Sequence, residues 1–251
     1  MIKFPEKRTS NQISTYFKKN NLLILLNYKK INNKSFPPNL KDLYRIHRFI
    51  ILNKRLCALE YGTGWSSIVI QHALNFNKKK FKLNKNIRLK KPFSLTIVDD
   101  NKKFIKISKK ILFSFFKKNK NTKFYFSKTK MVEYKLKFAT EYVNHPVVNP
   151  DFIYLDGPSQ DTVNGKVNNF TVKNQDMMPM ACDILKYEHF LTPGTIILTD
   201  GRTANARFLK SNFQRKWIYK HDIFNDQSIF FLNEKPLGKF NKEQINFYFK
   251  R

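Results

Sequence analysis

The stretch Leu56-Cys57-Ala58-Leu59-Glu60-Tyr61-Gly62-Thr63-Gly64-Trp65-Ser66-Ser67 decides the fold. Leu56 to Glu60 is a short apolar run of the kind that makes a strand buried on both faces. The paired glycines let the backbone turn sharply and approach a ligand with no Cβ in the way. Ser66 or Ser67 can cap a helix, whose first N–H groups are free to meet an anion. From Ser66 to Phe76 apolar residues recur at helical spacing, with Val69 over Ala73 and Ile70 over Leu74. A strand, a glycine turn and a helix in that order begin a parallel α/β sheet.

Working outward, the alternation continues. Phe93 to Val98 reads as a second strand, and Asn101 to Lys118 as a helix with Phe104, Ile107, Ile111 and Phe115 on one stripe. Lys123 to Ser127 and Asp151 to Leu155 read as strands, Met177 to Leu191 as a helix, Thr195 to Thr199 as a fifth strand and Thr203 to Asn212 as a helix. Trp217 to Phe224 and Gln227 to Leu232 are strands joined by a tight hairpin at Asn225-Asp226. The pattern predicts a doubly wound, mostly parallel, seven-stranded Rossmann-like sheet ending in a C-terminal antiparallel hairpin. Upstream, Ser35-Phe36-Pro37-Pro38-Asn39 is a turn or linker. Leu43, Ile46, His47, Ile50 and Ile51 then fall on one helix face that ends near Asn53. The expected organisation is a helical appendage over 1–55, the sheet domain over 56–233 and a tail over 234–251.

The 251 residues suit one large domain at about 100–200 residues each. A hydrophobic content of 41% excludes a wholly disordered chain. The aliphatic run Leu22 to Leu26 is too short for a membrane span, which takes about 20 residues. Cys57 and Cys182 are too few for a disulfide framework, so a cytoplasmic location is expected. The net charge of +30 points toward an anionic partner. The 39 Lys, 27 Asn and 25 Phe against 9 Arg and 7 Gly also match AT-rich codon usage, a second source of the lysine.

Ligands of open parallel sheets bind beyond the carboxyl ends of the strands. Four predicted strand ends carry an acid there: Glu60, Asp99, Asp156 and Asp200. Five of the seven glycines (62, 64, 157, 194, 201) flank strands. Residues 78–91 hold eight basic and no acidic side chains. They read as a solvated loop or as a contact for RNA or an anionic membrane surface. Residues 157–176 are placed as a substrate loop.

The ordered set EYGTGWSS, IVDD, DFIYLDGP and LTPGTIILTDGR over residues 56–232 resembles the class I S-adenosylmethionine-dependent methyltransferases. Within them it looks most like the catechol-type and macrocin-type O-methyltransferases. The resemblance implies that Glu60, Gly62, Gly64 and Ser66 hold the methionine end of S-adenosylmethionine. Asp99 would grip the ribose hydroxyls, with Asp100 as the alternative, and Ser127 and Lys128 would lie near the adenine. Asp156 would close the cofactor pocket or face the acceptor. It also implies a magnesium ion on Asp156 and Asp200, although Gly201 stands where a third ligand belongs.

The expected reaction is in-line methyl transfer to an oxygen or nitrogen of a small-molecule or glycan acceptor. Asp156 and Asp200 are the expected catalytic residues, while His145 and His189 are bases by type. Arg202 and Gln160 are candidates for holding the acceptor, with Lys173 and Asp176 behind them. Residues 141–200 carry eight acids and three lysines, an acidic catalytic side that disfavours a phosphate-rich strand across the site. The alternatives are an RNA methyltransferase using the basic surface, and a noncatalytic binding or assembly protein on the same fold.

Overall fold

The strands form where apolar runs can be covered on both faces, and they fix the rest of the architecture. The computed structural model describes residues 2–31, 37–83, 85–116, 120–174 and 176–249. The chain opens with α1 (Ser10–Lys19), α2 (Leu23–Leu26) and α3 (Leu40–Leu52). It alternates through β1 (Cys57–Tyr61), α4 (Trp65–Lys80), β2 (Ser94–Asp99), α5 (Lys102–Phe115) and β3 (Thr122–Phe126). A separate hairpin follows, β4 (Thr129–Tyr134) and β5 (Lys137–Tyr142). Then come β6 (Phe152–Leu155), α6 (Asp183–Lys186), β7 (Ile196–Asp200), α7 (Thr203–Asn212), β8 (Trp217–Asp222), β9 (Gln227–Leu232) and α8 (Gly238–Phe249).

The main sheet has seven strands in the order β3-β2-β1-β6-β7-β9-β8. β1, β2, β3, β6 and β7 are parallel, and β9 runs antiparallel between β7 and β8. This is the doubly wound sheet expected, with strand limits shifted by one or two residues. Alternate residues feed two cores. Ala58, Ile97, Phe152 and Ile196 pack under α3, α4 and α5. Leu59, Val98, Ile153 and Ile197 pack on the other face with Leu209 of α7 and Phe230 of β9.

α3 is capped by Asn39, whose side chain accepts the Lys41 N–H. Its stripe Leu43, Ile46, Phe49 and Ile50 is buried, each such side chain contributing about 1.5–3 kcal/mol by leaving water. His47 joins it to α4 through His72 at 2.8 Å and to α1 through the Tyr16 hydroxyl at 2.6 Å.

Several expectations are corrected. Between β3 and β6, where the sequence pattern marks no element, stands the β4–β5 hairpin. Its turn residues Lys135 and Leu136 both have positive φ (+49° and +60°) and form the tight hairpin turn without glycine or asparagine. Met177 to Leu191 is not one helix: Pro179 restrains the residue before it, and 180–182 hydrogen-bonds to Thr140 of β5 before short α6 begins. The strand drawn to Phe224 ends at Asp222, and Ile223–Asn225 is a 3-10 turn. The tail 234–251 contains α8, whose Tyr248 is buried in the core. The start of the 78–91 insertion continues α4 to Lys80. Ser35, Phe36, Lys117 and Lys118 lie outside the described residues.

Candidate active site

Strand order reverses between β1 and β6, and there the carboxyl edge of the sheet parts. The loops leaving the two strands meet at a glycine corner. Gly62 sits at φ +91° and donates its N–H to the Val98 carbonyl at 2.8 Å. A side chain at Gly62 would press to 3.0 Å from the Asp156 carbonyl. Gly157 is equally confined, between the Gly62 backbone and the Tyr142 hydroxyl. Asp99, at the end of β2, accepts the Thr63 N–H at 2.8 Å and the Asn101 N–H at 2.6 Å. Burial pushes its pKa up to about 7.

Glu60 lies below this corner, fully buried, and accepts the hydroxyls of Ser66 at 2.5 Å and Ser67 at 2.7 Å. Loss of water pushes its pKa up to about 8. Expected at the cofactor's methionine end, Glu60 instead braces the loop and is not part of the cavity wall.

A cavity of about 280 Å³ opens beside the corner. Thr63, Gly64 and Ser66 form one side, with Asp156 and Asp200 at the strand ends. Between α4 and α5 its wall is apolar, from Trp65, Ile68, Phe104 and Ile107. Pro38, Asn39, Asp42 and Ile46 close the opposite side. Arg45 fastens that wall across the sheet edge, donating to Gln227 at 2.6 Å and to Asp222 at 2.7 Å. The N-terminal helices are thus part of the site. Asp42 and its neighbours on α3 were legible only as a helix face, because their approach to Asp200 spans most of the chain.

Asp42, Asp156 and Asp200 make the cavity acidic. The Asp156 carboxylate is about half exposed, with the Arg202 guanidinium beside it. Burial, then Asp42 and Asp156, push Asp200 up to about 7. Tyr154 donates its hydroxyl to Asp200 at 3.3 Å. Arg202 donates to the carbonyls of Asp156 at 2.7 Å and Pro158 at 3.0 Å, and its Nε lies 3.7 Å from the Asp156 carboxylate. Its Nε and Nη1 are buried with no hydrogen-bond partner among the described residues. Tyr142 is in the same position: its hydroxyl is buried and unpartnered. Burial, then the Asp100 and Asp99 carboxylates, push its pKa well above the ordinary phenol range.

Other expected site residues stand apart from the cavity. Ser127 is buried and accepts the Asn144 N–H at 2.9 Å, and Lys128 is exposed. Asp100 accepts the hydroxyls of Thr129 at 2.6 Å and Thr162 at 2.5 Å. The loop carrying Gln160, Lys173 and Asp176 folds onto β4 through the Lys130–Asn164 bridge rather than over the cavity. His145 bonds to the Tyr61 hydroxyl, and His189 to Gln214 at 3.2 Å. Among the described residues, no three His, Cys, Asp or Glu side chains converge as metal ligands. Asp156 and Asp200 line one cavity, and Gly201 offers them no third side-chain ligand.

No protein-family model and no curated protein matches the sequence. Solved structures do. The SAH-bound methyltransferase PaMTH1 of Podospora anserina matches at a TM-score of 0.52 and 13% identity, covering 92% of this chain and 99% of that one. The O-methyltransferase TomG of Streptomyces achromogenes, solved with SAM, matches at 0.44 and 10% identity over 92% of each chain. An O-methyltransferase from Bacillus cereus with SAH matches at 0.44 and 11% identity, covering 90% of this chain and 92% of that one. The first match shows that the fold is the Rossmann-like methyltransferase fold.

Proposed function

We propose that this chain transfers a methyl group from S-adenosylmethionine to a small-molecule or glycan acceptor. One observation carries the reading: at the switch point of a methyltransferase-fold sheet, Thr63 and Gly64 line one cavity with Asp156 and Asp200, and Asp99 holds that glycine turn by accepting the Thr63 N–H. The Podospora anserina protein of like fold was solved with SAH. The residues present fit such a cofactor. The first turn of α4 at Ser66 faces the cavity, where a helix N-terminus suits the cofactor's carboxylate. Asp99 keeps acceptor capacity for ribose hydroxyls beyond its two backbone bonds. Behind this corner, among the described residues, the Tyr142 hydroxyl and the Arg202 Nε and Nη1 have no hydrogen-bond partner.

Bound, the cofactor supplies an electrophilic methyl on a sulfonium centre. The chain supplies position and a base. Asp200, pushed toward neutral pH, and the half-exposed Asp156 stand at the strand ends as bases for the acceptor's proton. The carboxylates favour a cationic or hydroxyl-bearing acceptor and repel phosphate. Trp65, Ile68 and Phe104 give its hydrocarbon or ring an apolar surface. A compact amine, phenol or sugar fits these walls. The RNA-methyltransferase alternative is less favoured, because residues 85–91 lead into the start of β2, at the opposite edge of the sheet.

The test incubates the full chain with methyl-labelled S-adenosylmethionine, EDTA and a panel of amines, phenols, sugars and RNA. Label entering a small acceptor, lost in Asp156→Ala while cofactor binding persists, supports the reading. Label entering RNA alone overturns it.

A further inference from the structure

The amino half of the sheet carries a second concavity, which methyl transfer does not use. Because a hairpin rather than a helix joins β3 to β6, edge strand β3 keeps one face uncovered. Lys123 and Tyr125, two apart and so on that face, are exposed, while Phe124 turns into the core. A groove of about 370 Å³ runs from this face to the loop before β2 and is bounded by Val147 and Val148. Its cations are Arg88, Lys90, Lys91, Lys120 and Lys123, and no Asp or Glu lines it. None of the five makes a salt bridge among the described residues. Codon usage accounts for many lysines, but not for five cations around one concavity that no Asp or Glu lines. Their mutual repulsion is relieved by a polyanion that releases its counterions on binding.

We propose that this groove binds single-stranded nucleic acid, with phosphates on the five cations and a base stacked on Tyr125. A basic groove with an exposed aromatic ring is the arrangement such strands use. The concavity suits a strand better than a flat bilayer. The acidic cavity lies at the other edge of the sheet, so a strand held here is not presented to Asp156 and Asp200. The proposal is independent of methyl transfer.

The experiment measures anisotropy of a labelled single-stranded RNA of about twelve nucleotides with the full chain across a salt series. The triple variant Lys90→Glu, Lys91→Glu, Lys123→Glu should bind at least about tenfold more weakly, with a shallower salt slope. The charge-matched control Lys18→Glu, Lys19→Glu, Lys235→Glu should lose less than about threefold. Tyr125→Ala should lose about tenfold and Tyr125→Phe keep binding, a contrast that net charge cannot produce. Equal loss in both triples, or no RNA binding by the parent, overturns the proposal. Binding to phosphatidylserine vesicles through these lysines, with RNA binding unchanged in the triple variant, also overturns it.

Discussion

Glu60 holds the Ser67 hydroxyl at 2.7 Å from beneath the glycine corner, a carboxylate wholly removed from water. Burial raises its pKa from 4.5 to about 8, so the folded chain keeps a proton that the unfolded chain releases. Its contribution to stability is therefore full below about pH 4.5 and is lost as pH rises through about 8. Denaturant unfolding of the parent and Glu60→Gln at pH 5 to 8 checks this. The difference should move against the parent by up to about 1.4 kcal/mol per pH unit. A difference independent of pH contradicts the assignment.

Tyr142 offers a separate test of the corner. Among the described residues its hydroxyl is buried without a partner, a state that costs about 1–3 kcal/mol. Tyr142→Phe should therefore stabilise the ligand-free chain, raising Tm by roughly 2–4 °C per kcal/mol recovered. The same variant should weaken S-adenosylmethionine binding, because the hydroxyl is then missing where the ligand needs it. A lower Tm in the ligand-free variant would show that the hydroxyl is already satisfied.

The amino edge is tied by Asp151. Its carboxylate accepts the N–H groups of Leu56 and Cys57, each at 2.8 Å, and the Tyr248 hydroxyl at 2.7 Å. The Arg55 guanidinium lies 3.7 Å from the Tyr248 ring centroid and donates to the Gly194 carbonyl at 2.8 Å. Tyr248→Phe leaves a buried carboxylate one donor short and should cost about 1–3 kcal/mol in urea unfolding. A loss below about 0.5 kcal/mol would mean that α8 is a loosely held tail.

The parallel strands were legible because burial on both faces demands continuous apolar runs, and glycines and acids punctuate their ends. Asp99, Asp156 and Asp200 could be placed at strand ends from that pattern alone. The β4–β5 hairpin could not, because Lys135 and Leu136 adopt left-handed conformations that their side chains do not advertise. Glu60 carries the pattern of a ligand-facing acid, but its direction depends on where Ser66 and Ser67 fall, a matter of local packing. Asp42 and Tyr142 reach the site through contacts between distant segments, which no local periodicity records.

The central claim is that the glycine corner and Asp99 form an S-adenosylmethionine site. Calorimetric titration of the full chain with S-adenosylmethionine, beside Asp99→Ala, tests it most directly. The account predicts micromolar binding by the parent and a loss of at least about tenfold in the variant, a difference of about 1.4 kcal/mol. A folded parent that takes up no S-adenosylmethionine, or a variant that binds it as tightly as the parent, contradicts the account.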